Sequence, residues 1–124
     1  MTYLLLALGA IVGALSRFHA VRLIQGWWGG TFPLGTFLVN LSGSLLLGLI
    51  GGLVATHPNW PINSIQAIAG IGFCATYTTF SSFIFETVQL WRRGSRRAAL
   101  ANLCGQPALG LLCAWLGLVV GTWL

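Results

Sequence analysis

The sequence predicts an all-α membrane protein of four transmembrane helices with a broken third helix. Three observations carry that prediction. Of the 124 residues, 56% are hydrophobic and only 6% are charged, against roughly 25% charged in soluble domains. A spanning helix takes about 20 apolar residues, so the length suits four spans with short connections in a single unit and leaves no room for a soluble domain. Finally, the stretch GIGFCATYTTFSSFIFE, from Gly70 to Glu86, sets glycine, threonine and serine in the middle of an apolar, membrane-length run. A lipid-facing helix gains nothing from such residues, because each unpaired N–H or C=O in hydrocarbon costs several kcal/mol.

Apolar runs and turn signals place the helices at about 2–24, 33–55, 62–91 and 96–123. No basic stretch precedes the first apolar run, so that helix is expected to stay rather than be cleaved as a signal. Pro33 suits the first turn of helix two, THPNWP from Thr56 to Pro61 is a tight connection, and WRRGS around Arg93 is the third loop. Helix three exceeds a straight crossing of about 20 residues, and its break is expected between Gly72 and Thr79. Polar backbone at that depth is tolerated only where it faces protein or water.

The other spans carry small or polar residues at helical spacing: Gly9, Gly13 and Arg17; Thr36, Asn40, Ser44 and Gly48; Gly110, Ala114, Gly117 and Gly121. These read as close-packing faces. Cys74, Cys104 and Cys113 lie in apolar segments without metal-ligand spacing and read as small buried hydrophobes. The net charge is +5, but the arginines sit at helix ends without a soluble basic surface, which argues against nucleic acid as a partner. Arg17, Arg22, Arg92, Arg93, Arg96 and Arg97 all lie towards the first and third loops. The positive-inside rule then places both termini outside, and the arginines flanking Gly94 serve topology and contact lipid headgroups.

Few residues offer chemistry. Asn40, deep in helix two, is either a pore-facing donor or an interhelical hydrogen-bonding residue. Phe80 and Phe83 share a helix face, as packing aromatics or as rings turned edge-on to an anion, since the ring edge is electropositive. Thr79, Ser81 and Ser82 add hydroxyls to that lining. Glu86 is the only acidic residue and is expected to pair with an arginine such as Arg17. Arg17 is itself a vestibule charge or that ion-pair partner. No nucleotide motif or carboxylate relay is present, so the chain reads as a passive pathway, not an enzyme or a pump.

GAIVGALSRF at residues 9–18, GTFLVN at 35–40 and GFCATYTTFSSF at 72–83 followed by Glu86 resemble, in that order, the Fluc/CrcB family of fluoride channels. The resemblance covers essentially the whole chain. It implies an antiparallel, dual-topology dimer in the inner (plasma) membrane, formed with a second copy or with a paired homologous chain, and fluoride export along two pathways at the interface. It further implies that Phe80, Phe83 and Asn40 line those pathways and that a central sodium ion is held by the backbone carbonyls of Ala75 and Thr78. Cys74 and Ala75 stand where family members carry two glycines. The carbonyl site survives that change if φ is negative at Ala75, and fails if the break needs positive φ. Gly110 and Ala114 replace family hydroxyls in helix four, and Gln106 is the residue placed to compensate. Two other readings remain open at this point: a small proton-coupled multidrug exporter, which would want a glutamate in helix one, and a structural membrane subunit.

Overall fold

A computed structural model describes residues 1–124 as four membrane-length helical spans without strands. Helix α1 covers Thr2–Trp28 and runs four residues past the expected end. The reason is local. Gly29 stops the helix with φ 68 and returns its N–H to Gln25, a left-handed cap that favours glycine. The Gln25 side chain then clips the connection: Nε2 donates to the carbonyls of Gly30 (3.1 Å) and Phe32 (3.0 Å), and Oε1 accepts the Gly35 N–H at 3.0 Å.

Helix α2 covers Leu34–Thr56, with Pro33 just ahead of its first turn. The third span is composite. It comprises α3 at Ile62–Ile65, a π-helical segment at Gln66–Cys74, α4 at Ala75–Tyr77 and α5 at Phe80–Arg92. Between α4 and α5, Thr78 (φ −79, ψ 160) and Thr79 (φ −148, ψ 127) are extended. This interruption lies inside the interval the sequence marks. The nine-residue wide-turn segment was not foreseen, since no residue type in QAIAGIGFC demands i→i+5 bonding; π turns concentrate at functional sites. Helix α6 covers Arg96–Trp123 and passes through Pro107 without ending.

Two backbone-to-backbone seams hold these pieces. In the first, α1 lies on the π-helical segment and α4. A Cβ on Gly9 would run into the Ile68 carbonyl and one on Gly13 into the Thr76 hydroxyl. Thr76 Oγ1 also donates to the Ala10 carbonyl at 3.0 Å. In the second, α2 lies along α6: Gly48 abuts Ala114, Gly52 abuts Leu118 and Gly121, and Gly117 abuts Leu45. Small residues let membrane helices reach the close range where dispersion and interhelical hydrogen bonds act. The break then divides the third span, its first half belonging to α1 and α5 belonging to α6. A groove of about 760 Å³ opens between the diverging halves and α2.

Candidate functional site at the helix break

The break frees backbone groups that need partners, and two side chains supply them. Asn40 Oδ1 accepts the Thr79 N–H at 2.8 Å, and Asn40 Nδ2 donates to the Thr79 carbonyl at 3.0 Å. Arg17 Nη1 donates to the Thr78 carbonyl at 3.2 Å. Thr79 also caps α5, its hydroxyl accepting the Ser82 N–H at 3.3 Å, the usual role of a threonine before a first turn. So α1 and α2 each contribute one side chain to hold a strand-like bend inside an apolar bundle.

From Asn40 an amide chain continues into α6. Its second Nδ2 hydrogen goes to Gln106 Oε1 at 2.7 Å, Gln106 Nε2 donates to Asn102 Oδ1 at 2.7 Å, and Asn102 Nδ2 donates to Thr87 Oγ1 at 2.8 Å. Thr87 closes the chain on the Phe83 carbonyl at 2.7 Å. Asn40 thus has both amide hydrogens in use within the chain while lining the groove. Gln106 Nε2 keeps one hydrogen uncommitted, and Gln106 lines the groove. Asn102 is fully buried. Asn102 and Thr87 were missed in the sequence, where the only signal was Asn102 standing four residues before Gln106 on one face of an apolar helix.

Phe80 and Phe83 follow the bend, with ring centroids 5.8 Å apart and planes at 59°. Both line the groove with Asn40, Thr79 and Gln106, but their settings differ: Phe83 is 5% exposed and Phe80 75%. Ser81 opens onto a second groove with Phe80, Phe85 and Val88 and not onto the first, and the Ser82 N–H is spent on the cap.

The expected ion pair between Arg17 and Glu86 does not form. Glu86 Oε1 accepts the Thr36 hydroxyl at 2.9 Å, and Oε2 is buried without a partner. Arg17 sits on α1, which packs on the half of the third span before the break, whereas Glu86 lies beyond the break on α5. The bend keeps them apart. The reading of all three cysteines as buried also needs correction. Cys74 is buried and Cys113 half-buried, but Cys104 is exposed, because α6 turns that face away from α2.

At Ala75 φ is −67, and no residue other than glycine has positive φ. A Cβ at that position therefore imposes no strain on the break.

The CrcB family model, described as "CrcB-like protein, Camphor Resistance (CrcB)", matches residues 4–118. The chain belongs to the CrcB family. Among CrcB relatives it is 42% identical over 122 residues to Fluoride-specific ion channel FluC 1 of Symbiobacterium thermophilum, covering 98% of each chain. It is 45% identical over 117 residues to FluC 2 of Moorella thermoacetica, covering 94% of this chain and 93% of the relative. The FluC of Methylocella silvestris is 37% identical over 121 residues, covering 97% and 92%. With four helices long and apolar enough to cross a bilayer, this CrcB chain is a multi-pass membrane protein, which in bacteria means the plasma membrane.

Proposed function

We propose that this chain is a subunit of a fluoride-selective passive channel that exports fluoride from the cytoplasm, with its pathway along the groove at the helix break. The observation that carries this is the meeting of Phe80, Phe83 and the Asn40–Gln106 amide pair at a bend held open inside an apolar bundle. Fluoride is small and tightly hydrated, so entering such a groove requires donors in sequence. The free Gln106 N–H and the Thr79 hydroxyl supply them, and ring edges add positive potential without attracting cations. Asn40 acts by holding Thr79 and Gln106 in place. Glu86, the one acid, is engaged by Thr36 on the far side of the break and is absent from α1, which disfavours proton-coupled export.

The groove is lined by this chain on one side, and its polar wall would otherwise meet hydrocarbon, where unsatisfied groups cost several kcal/mol. A second chain, an antiparallel copy or a paired homologue, would cover it. Carried over from the family resemblance, a sodium ion would sit between subunits on the carbonyls of Ala75 and Thr78. The residues fit it: the Thr79 N–H that would cap the Ala75 carbonyl in a continuous helix is turned to Asn40, and a carbonyl oxygen has a second lone pair beside the one Arg17 uses. When bound, the ion would supply a positive charge at the Ala75 and Thr78 carbonyls.

The test is reconstitution of the purified chain in liposomes, with fluoride and chloride efflux followed by ion-selective electrodes in the absence of a pH gradient. Fast fluoride efflux with little chloride efflux is expected. Flux that requires a pH gradient would favour the exporter, and silence with a folded protein would favour a structural subunit.

A further inference from the structure

The turn between α5 and α6 gathers charge that the conduction pathway does not use. Arg92, Arg93, Arg96 and Arg97 are all exposed, and the only acidic side chain, Glu86, is held by Thr36. No acidic side chain neutralises them. The turn that presents them is rigidly made. Gly94, at φ 84, reverses the chain where a side chain would be strained. The Gly94 N–H returns to the Trp91 carbonyl at 3.1 Å and the Ser95 N–H to the Leu90 carbonyl at 3.0 Å. Leu90 and Ala99, 3% and 1% exposed, anchor the two helices on either side of the turn.

That reversal brings the Arg96 guanidinium over the Trp91 ring, 5.0 Å from its centroid. Stacking on an aromatic face fixes the planar fork of an arginine while leaving its edge donors free. Trp91 is itself half exposed at the end of a membrane span, the level at which tryptophan rings settle among lipid headgroups. An ordered arginine, three more guanidinium groups and an interfacial indole on one tight turn match a phosphate with acyl chains attached. A phosphate alone would not explain the tryptophan.

We propose that the α5–α6 turn is a binding site for the headgroup phosphate of an anionic phospholipid, with Arg93, Arg96 and Arg97 as its donors and Trp91 as its apolar wall. Each arginine that donates to the headgroup phosphate contributes about a five-fold gain in retention.

The test uses the full chain purified in detergent and native mass spectrometry in an equimolar mixture of phosphatidylglycerol and phosphatidylcholine. Wild type should retain phosphatidylglycerol preferentially. The Arg93→Gln/Arg97→Gln variant should lower that preference about 25-fold, whereas Arg22→Gln, at the same end of the molecule but off the turn, should leave it nearly unchanged. If the double variant does not elute as wild type, Arg93→Lys/Arg97→Lys keeps the charge but loses the planar fork, and it should show an intermediate preference. Equal retention of the two lipids would overturn the proposal. So would an equal loss in Arg22→Gln, full preference in the lysine variant, or displacement of the lipid by excess inorganic phosphate.

Discussion

Asn40 closes a two-bond ring on the backbone of Thr79, accepting its N–H at 2.8 Å and donating to its carbonyl at 3.0 Å. A single side chain from α2 thus does for the break what a neighbouring strand would do in a sheet. It satisfies both polar groups of one extended residue where water is scarce. The ring orients everything after it, because Thr79 is the residue that starts α5 and aims Phe80 and Phe83.

Replacing Asn40 with alanine should therefore destabilise the protein as well as slow conduction. Two backbone groups lose their partners, each at about 1–3 kcal/mol when buried. Thermal unfolding in detergent should show a loss of about 2–6 kcal/mol, with fluoride flux falling at the same time. Wild-type stability in Asn40→Ala would mean that Thr79 finds other partners and that the ring does not hold the break.

Gln106→Leu separates the donor from the scaffold. It removes the Gln106 N–H that no protein group uses and leaves an Asn40 hydrogen and Asn102 Oδ1 unpaired. Flux should drop at least about tenfold, the effect of losing roughly one hydrogen bond of 1.4 kcal/mol to a charged group. Gln106→Asn should recover part of it. If Gln106→Leu conducts as wild type does, the amide chain serves packing alone.

The seam between α2 and α6 predicts a contrast between glycines on one helix. A Cβ at Gly48 would run into the Ala114 carbonyl, whereas one at Gly51 would meet only Leu118 Cδ1 at 3.7 Å. Gly48→Ala should cost about 1–3 kcal/mol by overpacking and Gly51→Ala should be near neutral. Melting temperatures of the two variants, measured side by side, check the seam.

If sodium sits on the Ala75 and Thr78 carbonyls, exchanging it for a large organic cation should lower the melting temperature, since a ligand that binds only the folded state stabilises it by mass action. Arg17→Gln removes a like charge from the Thr78 carbonyl, so less sodium should then be needed for the same stabilisation. Melting curves indifferent to sodium in both proteins would reject the site.

Much of this was legible in the sequence because composition and order alone determine it. Apolar runs of bilayer length give the four spans, and a cluster of hydroxyls within one of them locates the break. What could not be read depends on which side of the bend each residue packs. Arg17 and Glu86 are opposite charges facing the same loop end in sequence, yet the divergence of the third span assigns one to the Thr78 carbonyl and the other to Thr36. Asn102 and Thr87 meet across the α5–α6 turn, a pairing that depends on how the two helices rotate about that turn. The π-helical segment lies where α1 approaches Gly72 and Ile68, and such a fit is a property of two helices and not of one.

The measurement that tests the account most directly is fluoride efflux from liposomes containing Phe80→Ile or Phe83→Ile, beside wild type, with the assembly state checked by gel filtration. Phe80 is largely exposed within its own chain, so its replacement should leave folding intact and isolate the role of the ring. The account predicts that each variant keeps its oligomeric state and loses at least about tenfold in flux, the cost of roughly 1.4 kcal/mol of lost ion stabilisation. Undiminished fluoride efflux from both would contradict the assignment of the groove as the pathway.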